Sequence, residues 1–286
     1  MVQAAYHMFL PERRGSGVVF ASPHSSRDYP PAFLAKSVLD EHAIRSSEDA
    51  FVDLLFDAAP ELGAPLLCAG VPRAYLDLNR SCDELDPALI EGARRHGHNP
   101  RVASGLGVVP RVVANGRAIY RGKLRPEEAR HRIETYWKPY HTALQSLLDE
   151  AHDGFGEAIL VDCHSMPHEA MDGVARGGRR RPEIVLGDRF GAAAGAEIVD
   201  RIEAAFSAAG LVVARNAPFA GAYVTQAYGR PSRNQHAVQV EIDRALYMDE
   251  ARVRPNAGFE PLRQLLRGVM ADILGAAQDE LPLAAE

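Results

Sequence analysis

Residues Ala158-Ile159-Leu160-Val161 are apolar without alternation, and the run ends abruptly in Asp162-Cys163-His164-Ser165, followed by Pro167. A strand buried on both faces reads this way, and such strands belong to parallel sheets covered by helices. Proline has no N–H for a ladder, so the strand stops there. The polar cluster therefore falls at a strand's carboxyl end, where open α/β sheets hold their ligands. Val18-Val19-Phe20-Ala21-Ser22 has the same character and delivers Pro23-His24-Ser25-Ser26-Arg27. Two buried strands, each presenting a histidine at its carboxyl end, point to a metal site. The plainer reading of either histidine is a backbone contact at the start of its loop.

The remaining elements follow from periodicity. Strands are expected at Gly17 to Ser22, Pro65 to Ala69, Ala74 to Leu78, Glu183 to Gly187, Leu211 to Arg215, Gly221 to Thr225 and Ala237 to Ile242. Short helices are expected from Leu34 to Glu41 and from Phe51 to Ala59, the second led by Ser46-Ser47-Glu48-Asp49, whose acids would complement the helix dipole. Pro126 opens the clearest helix, with apolar residues from Ala129 to Leu148 every three or four positions and Gly154 beyond its end. Pro139 lies in its interior, so a kink is expected near Tyr136. Trp137 and Tyr140 read as core. Alanine-rich Gly191 to Gly210 and amphipathic Phe259 to Ala277 are further helices. Strands alternating with helices give a mostly parallel sheet with both faces covered. The 286 residues are read as one domain, residues 1–286, in which 81–122 is an irregular loop-rich section. His168 to Pro182 is a polar loop with several arginines, either a solvated linker or a lid.

Bulk properties exclude several classes. Apolar residues at 47% suffice for a sizeable core. A net charge of -6 argues against nucleic acid as a partner, although local arginines can still bind an anionic substrate. No apolar run approaches the roughly 18–20 residues needed to span a bilayer, so no membrane partner is expected. Cys68, Cys82 and Cys163 form no CxxC pair and read as free thiols, and the chain's start lacks a signal peptide, which together predict a cytoplasmic protein.

A catalytic zinc takes three N or O ligands and keeps one position open. His24 and His164 supply two, and Asp28, Glu48, Asp49 and Asp162 are candidates for the third. Glu241 lies in a buried-looking strand, where a carboxylate is costly unless it is paired or useful. It is either a general base or the partner of an arginine such as Arg244. Arg73 and the Asn79-Arg80 pair offer donors suited to a carboxylate, since guanidinium binds such groups through two parallel hydrogen bonds. Gly221, with Tyr223 and Thr225 following, would let a substrate approach the backbone closely, or would mark a bulge. Ser25 and Ser165 lack the G-x-S-x-G elbow of serine hydrolases.

These motifs, in order, resemble the N-formylglutamate amidohydrolases: Ser22-Pro23-His24-Ser25-Ser26-Arg27, Glu48-Asp49, Arg73-Ala74-Tyr75-Leu76-Asp77-Leu78-Asn79-Arg80, Tyr136-Trp137-Lys138-Pro139-Tyr140-His141, Val161-Asp162-Cys163-His164-Ser165, Gly187-Asp188, Gly221-Ala222-Tyr223-Val224-Thr225, Tyr228-Gly229-Arg230-Pro231, Val238-Gln239-Val240-Glu241-Ile242 and Tyr247-Met248-Asp249-Glu250. The likeness runs from about Val18 to Glu250. That family is similar in fold to zinc carboxypeptidases and aspartoacylases, which implies a three-layer α/β sandwich around a central mixed, mostly parallel sheet. In those relatives a glutamate three residues after the first histidine binds zinc. Arg27 stands there in this chain, and the resemblance implies Asp49 as third ligand, with Glu48 the alternative. It further implies Zn²⁺ as cofactor, or another divalent metal, and Glu241 as the catalytic carboxylate. Arg80 with Asn79, helped by Arg73 and by Tyr223 and Thr225, would bind the substrate. That substrate is expected to be a small anionic N-acyl amino acid, N-formyl-L-glutamate first, with another N-acyl amino acid or small peptide as the alternative. A non-catalytic module keeping only a metal is the remaining reading.

Overall fold

The computed structural model describes residues 3–94, 99–173 and 180–275. In chain order the elements are β1 (Tyr6–Phe9), β2 (Val18–Ser22), α1 (Pro31–Leu34), α2 (Val52–Leu55), β3 (Leu66–Ala69), α3 (Pro100–Ala103), α4 (Pro126–Arg132), α5 (Lys138–Phe155), β4 (Ala158–Met166), β5 (Ile184–Gly187), α6 (Ala196–Ala208), β6 (Val213–Arg215), α7 (Tyr223–Tyr228), β7 (Gln235–Asp243), β8 (Met248–Asp249), β9 (Arg254–Pro255) and α8 (Phe259–Leu274). Seven strands form one sheet in the order β1-β3-β2-β4-β7-β5-β6. The central strands β3, β2, β4 and β7 are parallel, while β1 and β5 run antiparallel to their inner neighbours. The sheet is therefore mixed and mostly parallel, as expected from the sequence, with β1 an additional edge strand that the pattern did not disclose.

Period-2 alternation assigns the two faces. Val18, Phe20, Ile159, Val161, Val238 and Val240 face a core built with α2, α6 and α8. Val19, Ala21, Leu160 and Ala237 face another core, shared with Tyr140, Leu144, Leu147 and Leu148 of α5. Helix, sheet, helix is a three-layer sandwich. On the α5 side, β4 and β7 change character along their length, from Leu160 and Ala237 to the buried polar residues Asp162, His164, Gln239 and Glu241. The chain leaves β2 toward β3 and returns to β4 on the other side of β2. That reversal opens a crevice at the carboxyl ends of the sheet, the usual place for a ligand.

Several local expectations are corrected. Ala74 to Leu78 is not a strand. Its carbonyls are taken by side chains instead of a ladder, Tyr75 by Arg132 and Leu78 by His141, and the Asp77 N–H goes to Val108. Gly221 to Thr225 is not a strand either, because Gly221 has φ +99° and α7 begins two residues later. Leu34 to Glu41 is not helical: the helix is the single turn α1, started by Pro31, and Ser37 then bridges to Tyr120. The helix expected from Phe51 to Ala59 shrinks to α2, because Phe51 takes a left-handed φ of 67° and Phe56 leaves helical geometry. Where a kink is expected near Tyr136, the helix makes a π-helical turn, Ile133–Trp137, between α4 and α5. The anticipated lid falls partly on residues 174–179, and the end of the last helix on 276–277, outside the described residues.

Candidate metal centre and catalytic cleft

His24 and His164 come together because β2 and β4 are parallel neighbours. Ala21 pairs with Asp162, so His24, three residues on, and His164, two residues on, end beside each other. Their ring centroids lie 4.8 Å apart. Asp49 reaches them from the turn before α2, where its N–H donates to the His24 carbonyl. Its Oδ2 is 2.9 Å from His164 Nδ1 and 3.3 Å from His24 Nδ1. All three residues are buried, and the three offered atoms lie within 4.8 Å of one another.

A further carboxylate lies against the far nitrogen of each ring. His24 Nε2 lies 2.7 Å from Asp77 Oδ1, and His164 Nε2 lies 3.0 Å from Asp162 Oδ2. The His24 Nε2–H donates to Asp77 and leaves Nδ1 with a lone pair, the tautomer a cation ligand needs, while Asp162 keeps ion-pair distance to His164 without a hydrogen bond. His24 Nδ1 is buried without a hydrogen-bond partner. An ion bonded at about 2.0–2.1 Å in tetrahedral geometry holds neighbouring donors about 3.4 Å apart, and the 2.9 and 3.3 Å separations of Asp49 from the two rings suit a divalent cation. The electrostatics agree. Burial would lower the pKa of His164, but Asp162 and Asp49 hold it well above the usual imidazole value. Burial would raise that of Asp49, but the hydrogen bond from His164 and the His24 ring beside it hold it well below the usual carboxylate range. The pocket stabilises positive charge at the point where the three donors meet.

Glu241 pairs in register with His164 across β4 and β7. Its Oε1 accepts from Gln239 Nε2 at 2.7 Å. Burial is the main influence on its carboxyl, and against the opposing charge of His164 it brings the pKa to about 7. Arg244 is not its ion-pair partner. That guanidinium binds Asp49 Oδ1 at 3.0 Å, the Glu48 carbonyl at 2.7 Å and Ser165 Oγ at 3.1 Å. Ser165 in turn donates to Asp49, so its hydroxyl supports a carboxylate rather than facing a base. Cys163 points to the opposite face of β4, where burial pushes its thiol well above the usual value.

Above these residues opens a cleft of about 550 Å³, whose lining includes Arg73, Arg80, Arg101, Arg244, Asn79 and Gln239 together with His24, Asp49, His164 and Glu241. Arg73 donates Nε to Asp77 Oδ2 at 3.1 Å. Arg80 donates to the carbonyls of Leu106 and Asn79. Asn79 is buried, and its Oδ1 accepts from Val224 N at 2.8 Å, capping α7 from outside that helix. Glu48 faces away from the histidines, bonded to Arg45 and Tyr29. Asp28 is exposed. Tyr223 packs against Trp137 and His141, and the Thr225 hydroxyl donates to the Ala222 carbonyl, so both support the cleft wall from behind.

The profile of the N-formylglutamate amidohydrolase family matches residues 16–248, which contain every residue of the cleft described so far. This chain belongs to the N-formylglutamate amidohydrolase family. It is 32% identical over 264 residues to an N-formylglutamate deformylase of Pseudomonas aeruginosa, covering 90% of this chain and 91% of that protein. An N-formylglutamate deformylase of Pseudomonas putida is 29% identical over 266 residues, 91% of each chain. The crystal structure of N-formylglutamate amidohydrolase from Ralstonia eutropha JMP134 superposes with a TM-score of 0.88 at 34% identity, over 96% of this chain and 99% of that one.

For this family member, sequence reasoning overlooked Asp77 as the support of His24, Arg244 as the support of Asp49, and Arg101. Asp77 had a signal, since a buried acid two residues before an Asn-Arg pair needs a partner. Arg101 had none, because it follows a segment without periodicity.

Proposed function

We propose that this protein hydrolyses N-formyl-L-glutamate to formate and L-glutamate, using a divalent cation, zinc, held by His24, Asp49 and His164. The reading rests on one observation above all: three buried donors converge on one point, and Glu241, whose pKa is about 7, stands on the adjacent strand at the same level. A cation there would polarise a carbonyl and make a nearby water more acidic. Asp77 holds His24 in the ligating tautomer, Asp162 places negative charge beside the His164 ring, and Arg244 with Ser165 fixes the carboxylate of Asp49. Glu241 takes a proton from the water that attacks the formyl carbon, then delivers it to the departing amine nitrogen as the C–N bond breaks. Formate and glutamate leave with atoms and charge balanced. Arg80, with Arg73 beside it, binds a carboxylate of the substrate, and the Arg73 guanidinium also adds positive charge near the developing oxyanion.

Three free thiols and, among the described residues, no helix long and apolar enough to cross a membrane are consistent with a reaction in the cytoplasm. The experiment is a comparison of kcat/KM for N-formyl-, N-acetyl- and N-succinyl-L-glutamate by product release. Preference for the formyl compound is expected, since each extra methylene in a fitted pocket changes discrimination by about 1–3 kcal/mol. Preference for a bulkier acyl group would replace the proposed substrate while leaving the hydrolysis in place.

A further inference from the structure

Of the four arginines that line the cleft, two are matched by carboxylates: Arg73 by Asp77 and Arg244 by Asp49. Arg80 and Arg101 have no carboxylate within ion-pair distance among the described residues. The residues outside the description next to Arg101 in sequence, 95–98, are Arg-His-Gly-His and contain no acid. Two unmatched guanidiniums share one cleft in a chain whose net charge is -6. Local excess of this kind is what a dianion would neutralise.

We propose that Arg101 receives the side-chain carboxylate of the substrate and so sets the preference for an acidic over a neutral N-formyl amino acid. The inference rests on the formylglutamate reading above and extends it to the second carboxylate. Leu106 fixes the two arginines relative to each other. Its carbonyl accepts Arg80 Nε at 3.0 Å, and its N–H donates to the Arg101 carbonyl at 2.8 Å. Arg80 lies on the metal side of this link, one residue from Asn79, whose amide approaches His164. Arg101, on α3, is exposed where Arg80 is buried, so it stands at the outer margin of the cleft, whose lining also includes Ser104 and Leu106. The two are close enough that Arg101 contributes to the lowered pKa of Arg80, after burial and against Asp77. A substrate with its amide carbon among His24, His164 and Glu241 thus meets Arg80 first and Arg101 beyond it. That is the order of the α-carboxylate and the side-chain carboxylate in N-formylglutamate. The Arg101 guanidinium makes no other hydrogen bond or ion pair among the described residues, so its N–H groups are available for two parallel bonds to a carboxylate.

The test compares N-formyl-L-glutamate with N-formyl-L-glutamine, which keeps the α-carboxylate and replaces only the distal charge. The wild type should prefer the glutamate compound by at least about 30-fold in kcat/KM. R101Q should reduce that ratio to within about 3-fold by losing activity on formylglutamate, mainly through KM, and R101K should recover part of it. R80Q should weaken both substrates together. A ratio unchanged in R101Q, a wild type without preference, or equal loss of both substrates in R101Q would each overturn the assignment. A wild type that hydrolyses neither compound, yet cleaves another N-acyl amino acid, would instead remove the formylglutamate reading on which the assignment stands.

Discussion

Glu241 and His164 pair across adjacent strands, and the proposed reaction gives the two side chains opposite tasks, one taking protons and the other holding a cation. Replacing Glu241 by glutamine preserves size and the contact with Gln239 while removing the base. Turnover should fall by about 10²- to 10⁴-fold, while bound metal stays at the wild-type level; assays of formate release alongside elemental analysis check both. Asp77→Asn leaves all three donors in place and weakens the hold on His24 together with the ion pair to Arg73. Affinity for the cation should then fall by about 10- to 100-fold, as read by competition with a chelating dye, and an unchanged affinity would remove Asp77 from the role given to it. The residues legible in the sequence were those standing where a buried pattern breaks: His24, His164 and Glu241 each interrupt or end an apolar strand. Arg244 is the arginine that the alternative reading of Glu241 offers it as a partner. In the structure it turns to Asp49, nearly two hundred positions distant, and no local pattern encodes that choice.

At the level of elements, the turn carrying Asp77, Asn79 and Arg80 depends on the helix behind it. The π turn before α5 directs Trp137 Nε1 to the Arg80 carbonyl at 2.9 Å and His141 Nε2 to the Leu78 carbonyl at 3.0 Å. His141 Nδ1 then accepts from the Tyr228 hydroxyl, which ties α5 to α7. Burial pushes the His141 imidazole down to about 4, only partly offset by its bond to Leu78. The unfolded chain therefore binds a proton at this position between about pH 6.5 and 4 that the folded chain does not. Stability is full above pH 6.5 and declines as pH falls through that window, at up to about 1.4 kcal/mol per pH unit. Urea unfolding at pH 5 and pH 7 should show a larger loss for wild type than for His141→Gln, and equal losses would contradict the assignment. Gly221 is a second support. At φ +99° its added Cβ would lie 2.5 Å from Thr225 Oγ1, so Gly221→Ala should lower stability by about 1–3 kcal/mol in thermal unfolding. Segments where strand-like sequence became turn or helix, Ala74 to Leu78 and Gly221 to Thr225, are those whose backbone groups bond to side chains from elsewhere. β propensity describes a fit to a pleated surface, and here no neighbouring strand offers one.

On the scale of the whole molecule, the site lies where the chain reverses direction through the sheet. Histidines 140 positions apart become neighbours because β2 and β4 pair in parallel, with Ala21 opposite Asp162. The alternation of strands and helices made the mixed, covered sheet legible, since each central strand had to be apolar on both faces to lie inside it. The strand order was not legible, because four equally apolar parallel strands carry no mark of their neighbours. The cleft concentrates positive charge in an acidic chain, which suits an anionic substrate and a product amine that departs with its own charge. All of this depends on one cation held between His24, Asp49 and His164. The most direct measurement is the metal content of wild type, Glu241→Gln and His164→Gln after equilibration with Zn²⁺ and removal of unbound ion by gel filtration. One ion per chain retained by wild type and Glu241→Gln, with loss from His164→Gln, is the predicted result; equal retention in all three, or none in wild type, would contradict it.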